Sequence, residues 1–125
     1  MTKTKVFVSF DYDNDKTLKE FIIGQAKLAD SPFEVSDVSL KEAAPQAEWR
    51  ARARRAIAAC DVVLVMLGSK TRFAPGVRDE VQIAKELGKR RFQVIGYKGG
   101  TEAWAVPDGG RTYGWSWDNL KALLR

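Results

Sequence analysis

"DVVLVMLGSKTRFAPGVRDEVQIAKELGK", residues 61–89, decides how the chain folds. Its first part, "DVVLVMLG" (61–68), is apolar on both faces and rich in β-branched residues, as expected of a strand at the centre of a parallel sheet. Its second part reads as an amphipathic helix beginning near Pro75. With Glu80 at zero on a wheel of about 100° per residue, Ile83, Leu87, Ala84, Val77 and Val81 span an arc from about −60° to about +100°. Glu80 therefore falls inside the apolar arc. A carboxylate there either complements the helix dipole, pairs with an arginine such as Arg72 or Arg55, or faces a pocket. Asp79 beside it has the look of an ordinary first-turn acid.

Outward from this stretch, strand and helix alternate. "KVFVSF" (5–10) and "PFEVSDV" (32–38) read as strands, and "RFQVIGY" (91–97) as a fourth. "DNDKTLKEFIIGQAKLAD" carries Leu18, Phe21, Ile22, Gln25 and Leu28 at helical spacing. "PQAEWRARARRAIAAC" has Pro45 near a first helical position and Trp49, Ala53, Ala56, Ile57 and Cys60 on one face. "KGGTEAWAVPDGGRTYG" (98–114) reads as a glycine-rich loop before a last helix capped by Ser116, with Trp117, Leu120 and Leu124 facing in. The order βαβαβαβα predicts an α/β fold: one domain over 1–125, a parallel sheet of four to five strands in order 2-1-3-4, and helices on both faces. Such a sheet binds ligands beyond the carboxyl ends of its strands where strand order reverses, here between the first and third strands. The loops that matter are then "DYDND" (11–15) and "GSKTRFAPG" (68–76).

Composition narrows the chemistry. The 125 residues hold one cysteine and no histidine, which removes disulfides, Ser-His-Asp and Cys-His machinery and histidine-ligated metals. No metal site and no cofactor is expected. Apolar residues at 45% and charged ones at 30% suit a globular protein. No apolar run approaches the ~18 residues of a membrane span. The N-terminus lacks the apolar stretch of a signal peptide, so the expected location is cytoplasmic. The net charge of +5 sits largely in "WRARARRAIAAC" and "KRRFQ", without aromatic interleaving or a nucleic-acid motif, so no nucleic-acid partner is expected. Arg50, Arg52, Arg54 and Arg55 read as a solvated face or a contact surface, and Trp104, Trp115 and Trp117 as a packed C-terminal cap or a contact surface.

The loop "DYDND" repels phosphate where flavin and nucleotide folds place glycines or hydroxyls, and no GxGxxG or GxxxxGK[ST] is present. Asp11, Asp13 and Asp15 suit sugar hydroxyls, Mg²⁺ or an organic cation, with Asp13 or Asp15 expected to cap the first helix. A phosphoacceptor receiver domain has the same element order. Asp11, Asp13 and Lys98 would fit its pattern, but "VMLGSKT" has no aspartate to accept the phosphoryl group.

"VFVSFDYDND", "AIAACDVVLVMLGSKT", "VRDEVQIAKELGK" with "RFQVIGY", and the terminal "WSWDNL" resemble the TIR-like domain family of the Thoeris anti-phage sensor proteins, of flavodoxin-like fold. The resemblance implies a three-layer domain that cleaves the nicotinamide–ribose bond of NAD⁺, as a hydrolase or a cyclase. The product would be ADP-ribose or a cyclic variant signalling to a downstream effector. It implies Glu80 as the catalytic residue, Phe10, Asp11 and Tyr12 in the substrate pocket, and Ser69, Thr71 and Arg72 from the facing loop. It further implies self-association and a phage-derived trigger. Where catalytic TIR domains carry a Ser-x-Trp pattern before the glutamate, this chain has Ala74-Pro75-Gly76. Arg72-Phe73 could supply an aromatic wall instead. The alternative to an enzyme is a TIR-like interaction module.

Overall fold

In a computed structural model, which describes residues 3–12, 14–39, 46–97 and 99–124, strands and helices alternate as the patterning predicts. Asp13, Pro45 and Lys98, used above, lie outside the described residues. The elements are β1 (Thr4–Ser9), α1 (Lys16–Ala26), β2 (Phe33–Val38), α2 (Gln46–Ala58), β3 (Val62–Leu67), α3 (Pro75–Glu86), β4 (Arg90–Ile95), β5 (Thr112–Gly114) and α4 (Trp117–Leu123). Short 3₁₀ turns occupy Thr71–Phe73 and Glu102–Trp104. The five strands form one sheet in order β2-β1-β3-β4-β5, and every pairing is parallel.

β3 is buried along its whole length, which explains its unbroken apolar sequence. Val62, Leu64 and Met66 pack with Leu18 and Ile22 of α1 and Leu120 of α4. Val63, Val65 and Leu67 pack with Ala53 and Ile57 of α2 and Val77, Val81 and Ala84 of α3. Each fully buried aliphatic side chain contributes about 1.5–3 kcal/mol, so the two-sided β3 anchors both layers. α2 and α3 are further joined by Arg50–Asp79 at 2.7 Å and Arg54–Glu86 at 3.5 Å. The Lys89 ammonium donates to the Ala58 and Cys60 carbonyls, placing a cation at the negative end of α2.

Two expectations are corrected. Phe21 is 59% exposed and Leu28 is also exposed, while Leu18, Ile22 and Ala26 form the buried stripe of α1. Phe21 and Leu28 lie about 100° or more from the centre of that stripe on the wheel, and Phe21 meets the edge of Trp115 instead. Residues 98–114 are also not all loop: Thr112, Tyr113 and Gly114 pair with Gln93, Val94 and Ile95. Three residues are too few to carry a period-two pattern. What holds them is a side chain elsewhere. Gln93 accepts from the Val106 N–H at 2.7 Å and donates to the Val106 and Gly110 carbonyls. Gly110 has φ +86°, and a Cβ there would fall 2.2 Å from the Arg91 carbonyl oxygen, so only glycine fits this close turn.

Candidate active site

β1 and β3 are neighbours whose following chains diverge to opposite faces of the sheet, and a cleft of about 490 Å³ opens at their carboxyl ends. Phe10, Asp11 and Tyr12 form one side; Lys70, Phe73 and residues 74–77 form the other. Ser39 and Trp49 close the side towards α2, and Glu80 borders the cavity from α3.

α3 starts with Pro75 at its first turn and no side-chain cap hydrogen bond. The wheel places Glu80 among Val77, Val81, Ile83 and Ala84, and all five are buried. Glu80 is 1% exposed. Ser9 Oγ donates to its Oε1 at 2.7 Å, and Ser39 Oγ donates to the same oxygen. Ser39 is itself fixed, its Oγ accepting from the Phe10 N–H at 3.0 Å and its own N–H donating to the Val8 carbonyl. Burying a carboxylate is costly unless it is hydrogen-bonded, and bonds to an ionised acceptor are roughly twice as strong as neutral ones. The two serines therefore hold the carboxyl group in one orientation at the cavity wall. Arg72, one of the arginines considered as a partner for Glu80, donates instead to the Ser69 carbonyl at 3.1 Å and lies over the Phe73 ring.

Of the residues expected at the pocket, Phe10, Asp11, Tyr12 and Glu80 are brought together at the cleft. Asp11 Oδ2 accepts from Asn14 Nδ2 at 2.7 Å, and the Lys16 ammonium stands 4.5 Å from the centre of the Tyr12 ring. Ser69, Thr71 and Arg72 are not among the lining residues; Lys70 and Phe73 of the same loop take that place. Gly76 borders the cleft where the catalytic pattern has tryptophan. Aromatic rings reach it from elsewhere, with buried Trp49 coming from α2 and Phe73, 65% exposed, from the 3₁₀ turn.

Four contributors were not anticipated. Ser9 had a signal, as the one polar residue inside "VFVSF". Trp49 was visible at helical spacing but is equally a core residue by that criterion. Ser39 and Lys70 had none.

A second carboxylate, Asp15, is buried close by, at 4% exposure. It occupies the cap position of α1 but makes no side-chain cap bond; Asp13, the other acid expected to cap this helix, lies outside the described residues. Its oxygens accept instead from the Tyr97 hydroxyl at 2.8 Å and from Thr71 Oγ1 at 3.2 Å. Thr71 Oγ1 also accepts from the Gly68 N–H at 2.7 Å. A Cβ at Gly68 would lie 2.5 Å from the Asp15 carboxylate, so the missing side chain makes room for the acid. Burial pushes the Asp15 carboxyl above its ordinary value, against the two hydrogen bonds, and the Asp11 charge adds to the rise. The Tyr97 hydroxyl is pushed up to about 12 by withdrawal from water and by Asp15.

Among the described residues, no group of three or more His, Cys, Asp or Glu is placed to hold a metal ion, and no helix is long and apolar enough to cross a membrane. An all-parallel sheet in this order with helices on both faces is consistent with a flavodoxin-like or TIR-like fold. The family model of the Thoeris protein ThsB, TIR-like domain, matches residues 7–98, and the chain belongs to that family. The match ends before β5 and α4, so "WSWDNL" lies beyond it. A comparison with curated proteins gives no match.

Proposed function

We propose that the protein serves in anti-phage defence as a TIR-like enzyme that consumes NAD⁺, with Glu80 as its catalytic residue. The observation that carries this reading is the orientation of Glu80: a buried carboxylate, gripped by two serine hydroxyls, bordering a cleft at the switch point of the sheet. A volume of about 490 Å³ is within the range of small-molecule sites.

The chemistry asks little else of the protein. The bond between C1′ of the ribose and the nicotinamide nitrogen breaks, and its electron pair leaves with nicotinamide as a neutral base. Positive charge develops on the ribose, and the Glu80 carboxylate stabilises it in a site partly shielded from water. Water then adds at C1′ and gives up a proton, yielding ADP-ribose. Capture by a nucleophile of the same molecule yields a cyclic product. Asp11 hydrogen-bonds sugar hydroxyls, and the Trp49 and Phe73 rings flank the bases. Ser9 and Ser39 keep the carboxylate aimed.

The test is NAD⁺ turnover by the purified protein at high concentration, beside Glu80→Gln, with products resolved by mass. NAD⁺ loss in the wild type alone supports the enzyme and identifies its product. Ala74 and Gly76, standing where the catalytic pattern has serine and tryptophan, favour the second reading, a TIR-like interaction module. If neither protein consumes NAD⁺, with infected-cell lysate added as well, that module is the function to pursue.

A further inference from the structure

A second cavity of about 370 Å³ lies on the α2 side of the sheet, and Trp49 and Glu80 border both it and the main cleft. Its other walls include Asp37, Arg52 and Arg55. α2 sorts its arginines by direction. Arg50 and Arg54 pair with Asp79 and Glu86 of α3. Arg52 and Arg55, three residues apart and so on one side of the helix, turn to the cavity and have no ion-pair partner among the described residues.

Asp37 reaches this cavity through a backbone irregularity. β2 pairs Val35 with Val6 but Asp37, not Ser36, with Phe7. The extra residue is a bulge, a device that re-aims side chains at sheet edges. Val35 and Val38 consequently both pack on the α1 side, Val38 also bordering the cavity, while Asp37 joins Phe7 there. Asp37 Oδ1 accepts from the Val38 N–H at 2.9 Å, and Oδ2 has no partner among the described residues.

We propose that this second cavity is a nucleoside-phosphate subsite that takes the adenosine phosphate end of NAD⁺. Arg52 and Arg55 contact the phosphate, and Asp37 accepts from the hydroxyl or amine groups of the adenosine. The proposal rests on the reading of the main cleft as an NAD⁺ site and deepens it. Charge decides which end goes where. The nicotinamide ring is cationic: in the main cleft Asp11 attracts it against one cation, Lys70, whereas in the second cavity Arg52 and Arg55 outnumber Asp37 and repel it. The phosphates have the opposite preference. Because Glu80 borders both chambers, the scissile bond then lies at their junction.

The experiment measures binding of NAD⁺, AMP and inorganic pyrophosphate by calorimetry to the full-length Glu80→Gln protein. Two further proteins carry Arg52→Ala with Arg55→Ala, or Arg50→Ala with Arg54→Ala, in the same background. The two double variants lose equal charge, so non-specific attraction lowers both alike. The expected result is AMP and pyrophosphate affinity reduced at least about tenfold by the first pair, as loss of charge-assisted contacts gives, and little changed by the second. Asp37→Asn should weaken AMP and leave pyrophosphate unchanged. Absence of AMP binding, or equal loss in both double variants, overturns the subsite; an unchanged AMP affinity in Asp37→Asn overturns the adenosine assignment. AMP bound through Arg52 and Arg55 without any NAD⁺ binding upholds the subsite while removing the NAD⁺ reading of the main cleft.

Discussion

Glu80 and Asp15 are two buried carboxylates at the same edge of the same sheet, and each accepts from two side-chain hydroxyls. Their surroundings differ in what lies beside them. Glu80 borders two cavities. Asp15 lines neither of them and ties together the chains that follow β1, β3 and β4, through Thr71 and Tyr97. Similar hydrogen-bond chemistry thus serves a carboxylate at the wall of two cavities, proposed as the catalytic acid, and another that braces loops. The brace matters to the site, because the loop that Thr71 fastens carries Lys70 and Phe73 to the cleft. Burial and hydrogen bonding alone do not separate the two acids; the cavities beside Glu80 do.

Substitutions at the two acids should separate these roles. Glu80→Gln, nearly isosteric, is expected to abolish NAD⁺ consumption while leaving the thermal midpoint almost unchanged; retained turnover would remove the distinction drawn between the two acids. Ser39→Ala deletes one donor to Glu80 and the acceptor for the Phe10 N–H. It should lower kcat by about 10- to 100-fold, in line with loss of a charge-assisted contact. An effect confined to KM would mean that Ser39 does not orient the carboxylate.

On the Asp15 side the readout is stability. Gly68→Ala pushes a methyl group into the Asp15 carboxylate and should cost about 1–3 kcal/mol, the usual range for overpacking, as measured by denaturant unfolding. A neutral result would show that the brace yields easily. The smallest effect is expected for Asp15→Asn, under about 1 kcal/mol at neutral pH. Its signature lies in the pH profile. The Asp15 carboxyl is raised in the folded protein above its ordinary value of 3.8. Its contribution to stability is therefore fully present below that value and is lost as pH rises through the higher folded value. The difference in stability between wild type and Asp15→Asn should accordingly shift against the wild type as pH rises through this window. A flat difference would place the brace's strength in shape alone.

Local pattern carried the sequence reading a long way. The alternation of strands and helices, the buried β3, the start of α3 and the inward direction of Glu80 follow from periodicities spanning a few residues, which backbone geometry imposes wherever the chain lies. The cap at Ser116 is equally local, its Oγ accepting from the Asn119 N–H. Asp15 shows the limit of such reasoning: it has the sequence position of a cap, yet burial between loops gave its carboxylate better partners. Phe21 shows the same limit, since spacing alone cannot tell the centre of an apolar arc from its flank.

What the tertiary structure decided is which distant groups meet. Ser9 and Ser39 share one oxygen of Glu80 because β1, the end of β2 and α3 converge there, across 71 and 41 residues of sequence. Trp49 becomes a wall between two cavities, and a one-residue bulge in β2 turns Asp37 towards Arg52 and Arg55. Register and helix packing are set by the summed burial of many side chains, so no short window of sequence contains them. The sequence by itself determined that a carboxylate faces inward; the fold determined what holds it and what can reach it.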